Sequence, residues 1–346
     1  MKKNYPVIFT LFSIMILLSC KRDKFEPYFG PQACPGEGFQ ISTAFNMSKV
    51  DPATVNFFTG EALTFNAVFN SNALWKIEIS GQSSHATKTF QGFSNVVSIN
   101  WYGRSDTELF FADEKVTVKF FITCKEELTV IQSVNIKKAD FSKDPNVIIV
   151  SDFDSHLAPG WGYYNVSDPL YPPVVGDTAI CPVTNKPGFC STFKPSPQGG
   201  RSLSYIGQVP ISGGGQKNIF AAYEVYPPNL NTFPNAPTDP NQLWFNFLGN
   251  SGSTPVKVIV SFRHWDGVTK FGRTSFTINS PTWQMYSVNL GQLEKGVGDV
   301  QTFNAKDLGL IIFTIAQNAG ISPTEFNIDL ATLTIGESFL GQQVQK

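Results

Sequence analysis

An all-β fold is predicted for this chain, on three observations. Aromatic residues that favour strands are abundant: 31 Phe, 10 Tyr and 6 Trp make up 14% of 346 residues. The 28 Gly and 23 Pro supply frequent turn punctuation. Short runs with a period of two recur along the chain, and no segment of convincing helical period interrupts them. At about 150 residues per domain, the length predicts two domains with real cores. Only 15% of residues are charged, and 26 basic against 27 acidic side chains leave a net charge of −1. No general excess of positive charge exists to grip a polyanion, which argues against a nucleic-acid partner.

The first element is an address. Lys2 and Lys3 precede an uncharged run from Tyr5 to Ser19 that is too short to span a bilayer comfortably. It ends Leu17-Leu18-Ser19-Cys20, which resembles the lipobox of bacterial lipoproteins. The resemblance implies a signal peptide over 1–19 and Cys20 as the acylated first residue of the mature chain. No second apolar stretch approaches about 20 residues, so the expected membrane contact is through lipid alone. Residues 20–38 begin Lys21-Arg22-Asp23-Lys24, carry Pro27, Gly30, Pro31 and Pro35, and read as a tether. This N-terminus is similar to those of Bacteroidota lipoproteins. It implies a cell-envelope, outer-membrane protein, with surface and periplasmic leaflets both open because the residues after Cys20 are of mixed charge.

Setting Cys20 aside leaves Cys34, Cys124, Cys181 and Cys190, an even number for an oxidising compartment. Three connectivities are open, beside four reduced thiols. The pairing expected is Cys181 with Cys190 across a short Pro/Gly loop, which leaves Cys34 to pair with Cys124.

The next element, 39–138, contains Trp75-Lys76-Ile77-Glu78-Ile79, Val97-Ser98-Ile99-Asn100-Trp101 and Val116-Thr117-Val118-Lys119-Phe120, each strictly alternating, with Gly-rich turns between them. Strands at this spacing resemble the immunoglobulin-like or PKD-like modules that bacteria place between an anchor and a working domain, which implies a spacer. The polar stretch 139–146 reads as a linker. Residues 147–340 form the second domain. Its strand signals are Val147–Val150, Ser202–Tyr205, Ile219–Tyr226, Leu243–Leu248, Val256–Trp265, Thr274–Ile278, Trp283–Leu290, Leu308–Ile315 and Asn327–Ile335. Residues 165–200 read as a long irregular insertion.

The second domain contains Asp152-Phe153-Asp154, Gly199-Gly200-Arg201-Ser202-Leu203, Ser280-Pro281 before Trp283, and Asn327-Ile328-Asp329-Leu330. These features resemble the galactose-binding-like jelly roll used by carbohydrate-binding modules. The resemblance implies a glycan partner and, at Asp152, Asp154 and Asp329, the oxygen-rich cluster that holds a structural calcium in relatives. No other cofactor is expected.

Catalytic signatures are missing: the sequence has no G-x-S-x-G, Walker-type loop, G-x-G-x-x-G or H-E-x-x-H. The enzymatic rival is glycoside hydrolysis, which needs two carboxylates; Glu224 with Asp266 is the pair on offer. A sugar platform instead needs aromatic rings beside planar polar groups. Burying Leu243, Phe245 and Phe247 turns Trp244 and Asn246 outward, and burying Val258, Val260 and Phe262 does the same for Ser261, Arg263 and Trp265. Trp161, Tyr163 and Tyr164 form a loop aromatic group. These residues predict a non-catalytic lipoprotein that captures polysaccharide or oligosaccharide, resembling the surface glycan-binding lipoproteins that work with outer-membrane transport complexes. The alternative is an assembly lipoprotein that uses the same faces against a partner protein.

Overall fold

A computed structural model describes residues 34–151, 162–165, 189–195, 201–207, 219–226, 236–252, 254–264, 266–301, 304–316 and 324–340. The signal segment with Cys20, and Asp152, Asp154, Trp161, Cys181 and Trp265, lie outside the described residues. The fold is all-β, and helical structure among the described residues is confined to single three-residue 3-10 turns.

The N-terminal strands are β1 (Ile41–Met47), β2 (Thr54–Asn56), β3 (Leu63–Gly81), β4 (Thr87–Trp101), β5 (Glu114–Ile122) and β6 (Lys125–Lys137). They form one hydrogen-bonded network in the order β1-β3-β5-β6-β2, with β4 also on β3. Only the β2–β6 pair is parallel. An immunoglobulin-like pair of separate sheets is therefore not what the hydrogen bonds draw. The 19-residue β3 instead serves both halves, pairing with β1 through Phe65–Phe69 and with β5 through Trp75–Gly81. Its odd positions, Leu63 to Phe69 and then Ala73 to Ile79, are buried, as strict alternation requires. Exposed Asn70, Ser71 and Asn72 separate the two halves where the pairing with β4 breaks. Phe45 of β1 stacks on Phe120 of β5 with centroids 4.4 Å apart, which closes the curl over the core. Cys34 is joined to Cys124, in the β5–β6 turn, by a disulfide with Cα atoms 5.3 Å apart. Cys190 stands opposite Ile206 in the strand pairing of the C-terminal half.

The C-terminal strands are β7 (Val147–Ser151), β8 (Gly162–Asn165), β9 (Phe189–Pro195), β10 (Arg201–Gly207), β11 (Ile219–Tyr226), β12 (Leu243–Ser251), β13 (Val256–His264), β14 (Lys270–Ile278), β15 (Gln284–Asn289), β16 (Leu308–Ala316) and β17 (Thr324–Ile335). They build two antiparallel sheets, β15-β12-β17-β10-β9 with β7 also on β17, and β14-β13-β16-β11-β8. Phe245, Phe247, Ile328 and Leu333 of the first sheet meet Val258, Val260, Phe262 and Phe313 of the second in one core. Two face-packed antiparallel sheets are the jelly-roll arrangement expected. Two expectations are corrected. The insertion at 165–200 contains β9, hydrogen-bonded along β10, and Tyr163 and Tyr164 belong to strand β8 rather than to a loop.

Residues 139–146 are not a free linker. Phe141 is buried within a 3-10 turn that Asp140 caps through the Ser142 amide. It packs edge-on against Phe339 at 4.7 Å and stacks on Phe110 at 5.6 Å. Leu248, Met285 and Leu330 complete this apolar joint. Around it, Lys88 Nζ lies 2.8 Å from Asp106 Oδ1 and 3.0 Å from Glu337 Oε1, while Arg104 meets Asp144 and Glu337 at 3.1 Å each.

Candidate functional site

The two outer faces of the C-terminal sandwich differ, and the difference locates the site. On the β12 sheet every residue from Leu243 to Ser251 is buried. The expectation that Trp244 and Asn246 face a ligand is corrected. They do point away from the main core, but a second layer covers that side. Trp244 is 8% exposed and Asn246 0%. Asn246 Nδ2 donates to Trp244 O and Thr334 Oγ1, at 3.3 and 3.1 Å, and its Oδ1 accepts the Phe339 amide at 2.9 Å. It clamps the segment after β17 onto the sheet. Asp329 is likewise 0% exposed, and its Oδ1 accepts the Leu330 amide at 2.8 Å. Among the described residues no group of three His, Cys, Asp or Glu side chains gathers as a metal site. The other two carboxylates of the expected calcium cluster, Asp152 and Asp154, lie outside the described residues.

The β13–β14 face is open. Val258, Val260 and Phe262 are buried, while Lys257 is exposed and Ile259, Ser261 and Arg263 are half-buried, the alternation expected. On β14, Arg273, Ser275 and Thr277 take the outer positions. Strict alternation would then send Lys270 inward. A β-bulge prevents this: Phe262 pairs with Gly272 but Arg263 pairs with Lys270, so Phe271 is an extra residue and the parity flips. Phe271 is buried, and Lys270 emerges beside Arg263. The bulge requires Gly272. Its φ of +133° is outside the range L side chains adopt, and a Cβ there would meet Glu294 O and Leu293 Cβ at 2.9 Å.

The result is a groove of about 360 Å³ lined by Ser261, Arg263, Lys270, Arg273, Val297 and Asp299, with Phe262 and two glycines at its base. The volume lies within the range of about 300–1,000 Å³ usual for small-ligand sites. Arg263 is oriented by a bond from its Nη1 to Gly267 O at 3.1 Å, while its Nε is closed off from solvent without an acceptor. Asp299 Oδ2 accepts the Gly296 amide at 2.7 Å and so shapes the wall that carries Val297. Lys295 packs behind, donating to Phe271 O. Burial lowers its pKa, against the pull of Asp299.

Further along the same sheet, Ser261 stands opposite Ile312, Ile312 opposite Glu224, and Glu224 opposite Tyr164. The register therefore puts Tyr164 and Glu224 in one ladder row with the groove. Tyr163 stands in the neighbouring row, opposite Val225. The sequence led to Arg263, and it also led to Tyr164, though as a loop residue. It missed Lys270, Arg273 and Asp299. The readable signal for the first two was Phe271-Gly272, a glycine that interrupts the alternation immediately before the strand Thr274–Ile278.

Asp266, offered as a catalytic partner of Glu224, has another role. The Thr269 amide and hydroxyl, together with the Val268 amide and nearby His264, hold its carboxyl at a pKa of about 2. The three hydrogen bonds are each 2.8 Å and cap the β13–β14 turn. A carboxyl that stays ionised is unsuited to protonate a leaving group near neutral pH.

No family model matches this chain, and no curated protein matches it. Among solved structures, it is similar to a family 11 carbohydrate-binding module from a cellulosomal cellulase of Clostridium thermocellum. That match has 14% identity and a TM-score of 0.32, and covers 55% of this chain and 94% of the module. The same family's module in complex with a β-1,3-1,4-mixed-linked tetrasaccharide matches at 15% identity and a TM-score of 0.33, over 55% of this chain and 96% of the module. An exo-1,3/1,4-β-glucanase from a Pseudoalteromonas species matches at 11% identity and a TM-score of 0.34, over 54% of this chain but only 20% of the enzyme.

Proposed function

We propose that this chain is a non-catalytic carbohydrate-binding protein, anchored through lipid on Cys20, that captures polysaccharide or oligosaccharide at the cell envelope beside an outer-membrane transport complex. The observation that carries the reading is the groove on the β13–β14 face. A concave site walled by guanidinium, ammonium, hydroxyl and carboxylate groups, with apolar Val297 at its lip, suits a polyhydroxylated ring that offers both hydrogen-bonding edges and a C–H face. Capture without chemistry agrees with Asp266 being committed to a turn. Trp265, Trp161 and the β8 tyrosines Tyr163 and Tyr164 are the aromatic residues proposed to complete the platform.

Screening the detergent-purified protein against a glycan array tests this. Selective retention of one glycan class is the expected result, and failure to retain any would overturn the reading in favour of a protein partner. For the anchor, Cys20→Ala should abolish partition into a detergent phase. Persistent partition of that variant would refute lipid attachment.

A further inference from the structure

We infer that the groove takes an acidic sugar residue, whose carboxylate or sulfate is gripped by Arg263, Lys270 and Arg273. The inference rests on the carbohydrate-binding reading and narrows it to a substrate class.

Charge matching is the first support. Arg263 and Lys270 stand directly opposite one another on adjacent strands, and Arg273 stands between Ser261 on one side and Glu294, outside the groove lining, on the other. Like charges placed directly opposite destabilise a sheet. None of the three has a salt-bridge partner among the described residues. The one carboxylate in the lining, Asp299, is turned onto the Gly296 amide. Three cations against one acidic group make this groove locally positive in a chain whose net charge is −1. The positive field is thus a property of this face and not of the whole protein, as a localised anionic group would require.

Donor and acceptor chemistry is the second support. A neutral sugar hydroxyl both donates and accepts, so a neutral-sugar site needs acceptors as well as donors. Each guanidinium brings five N–H donors and no acceptor, and an ammonium three donors and no acceptor. Against these, the lining side chains offer only the Ser261 hydroxyl and the partly engaged Asp299 as acceptors. A carboxylate or sulfate ester only accepts, and forked guanidinium recognition of such oxygens forms charge-assisted bonds.

The bulge is the third. With Phe271 paired regularly opposite Arg263, Lys270 would alternate into the core, so the fold departs from regular pairing at the point that adds the third cation. Bulges next to sites characteristically re-aim a side chain in this way.

The test is equilibrium binding of the detergent-purified whole protein to four polymers: polygalacturonate, fully methyl-esterified polygalacturonate, a sulfated galactan and a neutral mixed-linked glucan. Tight binding to one acidic polymer, at least tenfold weaker binding to the neutral ones, and a steep fall with added salt are expected. The esterified polymer keeps the backbone and removes the charge, and the two acidic polymers separate carboxylate from sulfate. Arg273→Gln and Lys270→Gln, both at exposed positions, should each weaken acidic-polymer binding about tenfold. Lys257→Gln, an exposed lysine outside the groove lining, should leave it unchanged. Equal binding of esterified and free polygalacturonate, or equal loss from Lys257→Gln, would overturn the acidic-sugar inference while leaving carbohydrate binding intact. Retention of no polymer at all would overturn both.

Discussion

The joint between the N-terminal sheet and the C-terminal sandwich and the groove on the β13–β14 face both gather cations, but they treat them differently. At the joint, Lys88 is 1% exposed and bonded to two carboxylates, and Arg104 is shared between Asp144 and Glu337. In the groove, Arg263, Lys270 and Arg273 form no salt bridge among the described residues, though Glu294 stands opposite Arg273, and Arg263 and Lys270 face each other across the ladder. Charges matched inside the protein hold its parts in register. Charges without a salt bridge on a concave face are what the proposed acidic ligand would match.

Breaking the joint should have the largest effect. Lys88→Met removes the buried cation that Asp106 and Glu337 share, leaving Arg104 as the cation beside Glu337, and is expected to cost about 3 kcal/mol in denaturant unfolding. That is the low end for one member of a buried pair, because Glu337 is 39% exposed and can rehydrate. A loss below about 1 kcal/mol would show that the joint does not depend on charge matching.

An intermediate case is a carboxylate matched by neutral donors. Glu114 accepts from the amides of Ser83, Ser84 and Ala112 and from both serine hydroxyls, pinning the β3–β4 turn. Burial alone would raise its pKa, but these bonds outweigh it and the folded value lies below the ordinary 4.5. Its stabilisation is therefore complete above the unfolded value and disappears as pH falls through the folded one. Glu114→Gln should cost about 1–2 kcal/mol at neutral pH. Thermal melts of the two proteins should converge as pH is lowered from about 5. A constant gap across that range would show that the carboxylate charge is not what holds the turn.

The smallest effect should come from the groove. Lys270→Gln removes one of two facing cations and should leave stability within about 0.5 kcal/mol of the parent, on the stabilising side. A clear destabilisation would mean that Lys270 has a partner in the protein, and the contrast with the joint would fail.

Much of this architecture was legible because strand alternation is a local signal. The periods in Trp75–Ile79 and Val256–Arg263 reappear as buried and exposed rows. What the sequence could not show was which outer face would be covered. Trp244 and Asn246 obey the same alternation as Ser261 and Arg263, yet the segment ending at Phe339 and the joint cover their side. Alternation gives direction relative to one core and is silent about a second layer formed by residues nearly a hundred positions away. The bulge was invisible for a related reason: a one-residue slip is settled by the partner strand, so Lys270 and Arg273 lay outside the strand read from Thr274 onward. The Cys34–Cys124 pairing could be proposed because the even count of cysteines limited the choices.

That disulfide also sets how mechanical load enters the molecule. A pull on the chain ahead of Cys34 does not reach β1, which as an edge strand paired only to β3 would peel away one hydrogen bond at a time. The cross-link diverts the tension to Cys124, in the turn between β5 and β6, and so directly into the start of β6, which pairs with β5 along most of its length. Tension between the two ends of the described chain would therefore run along the backbone of a strand that is already extended, with β1 left slack.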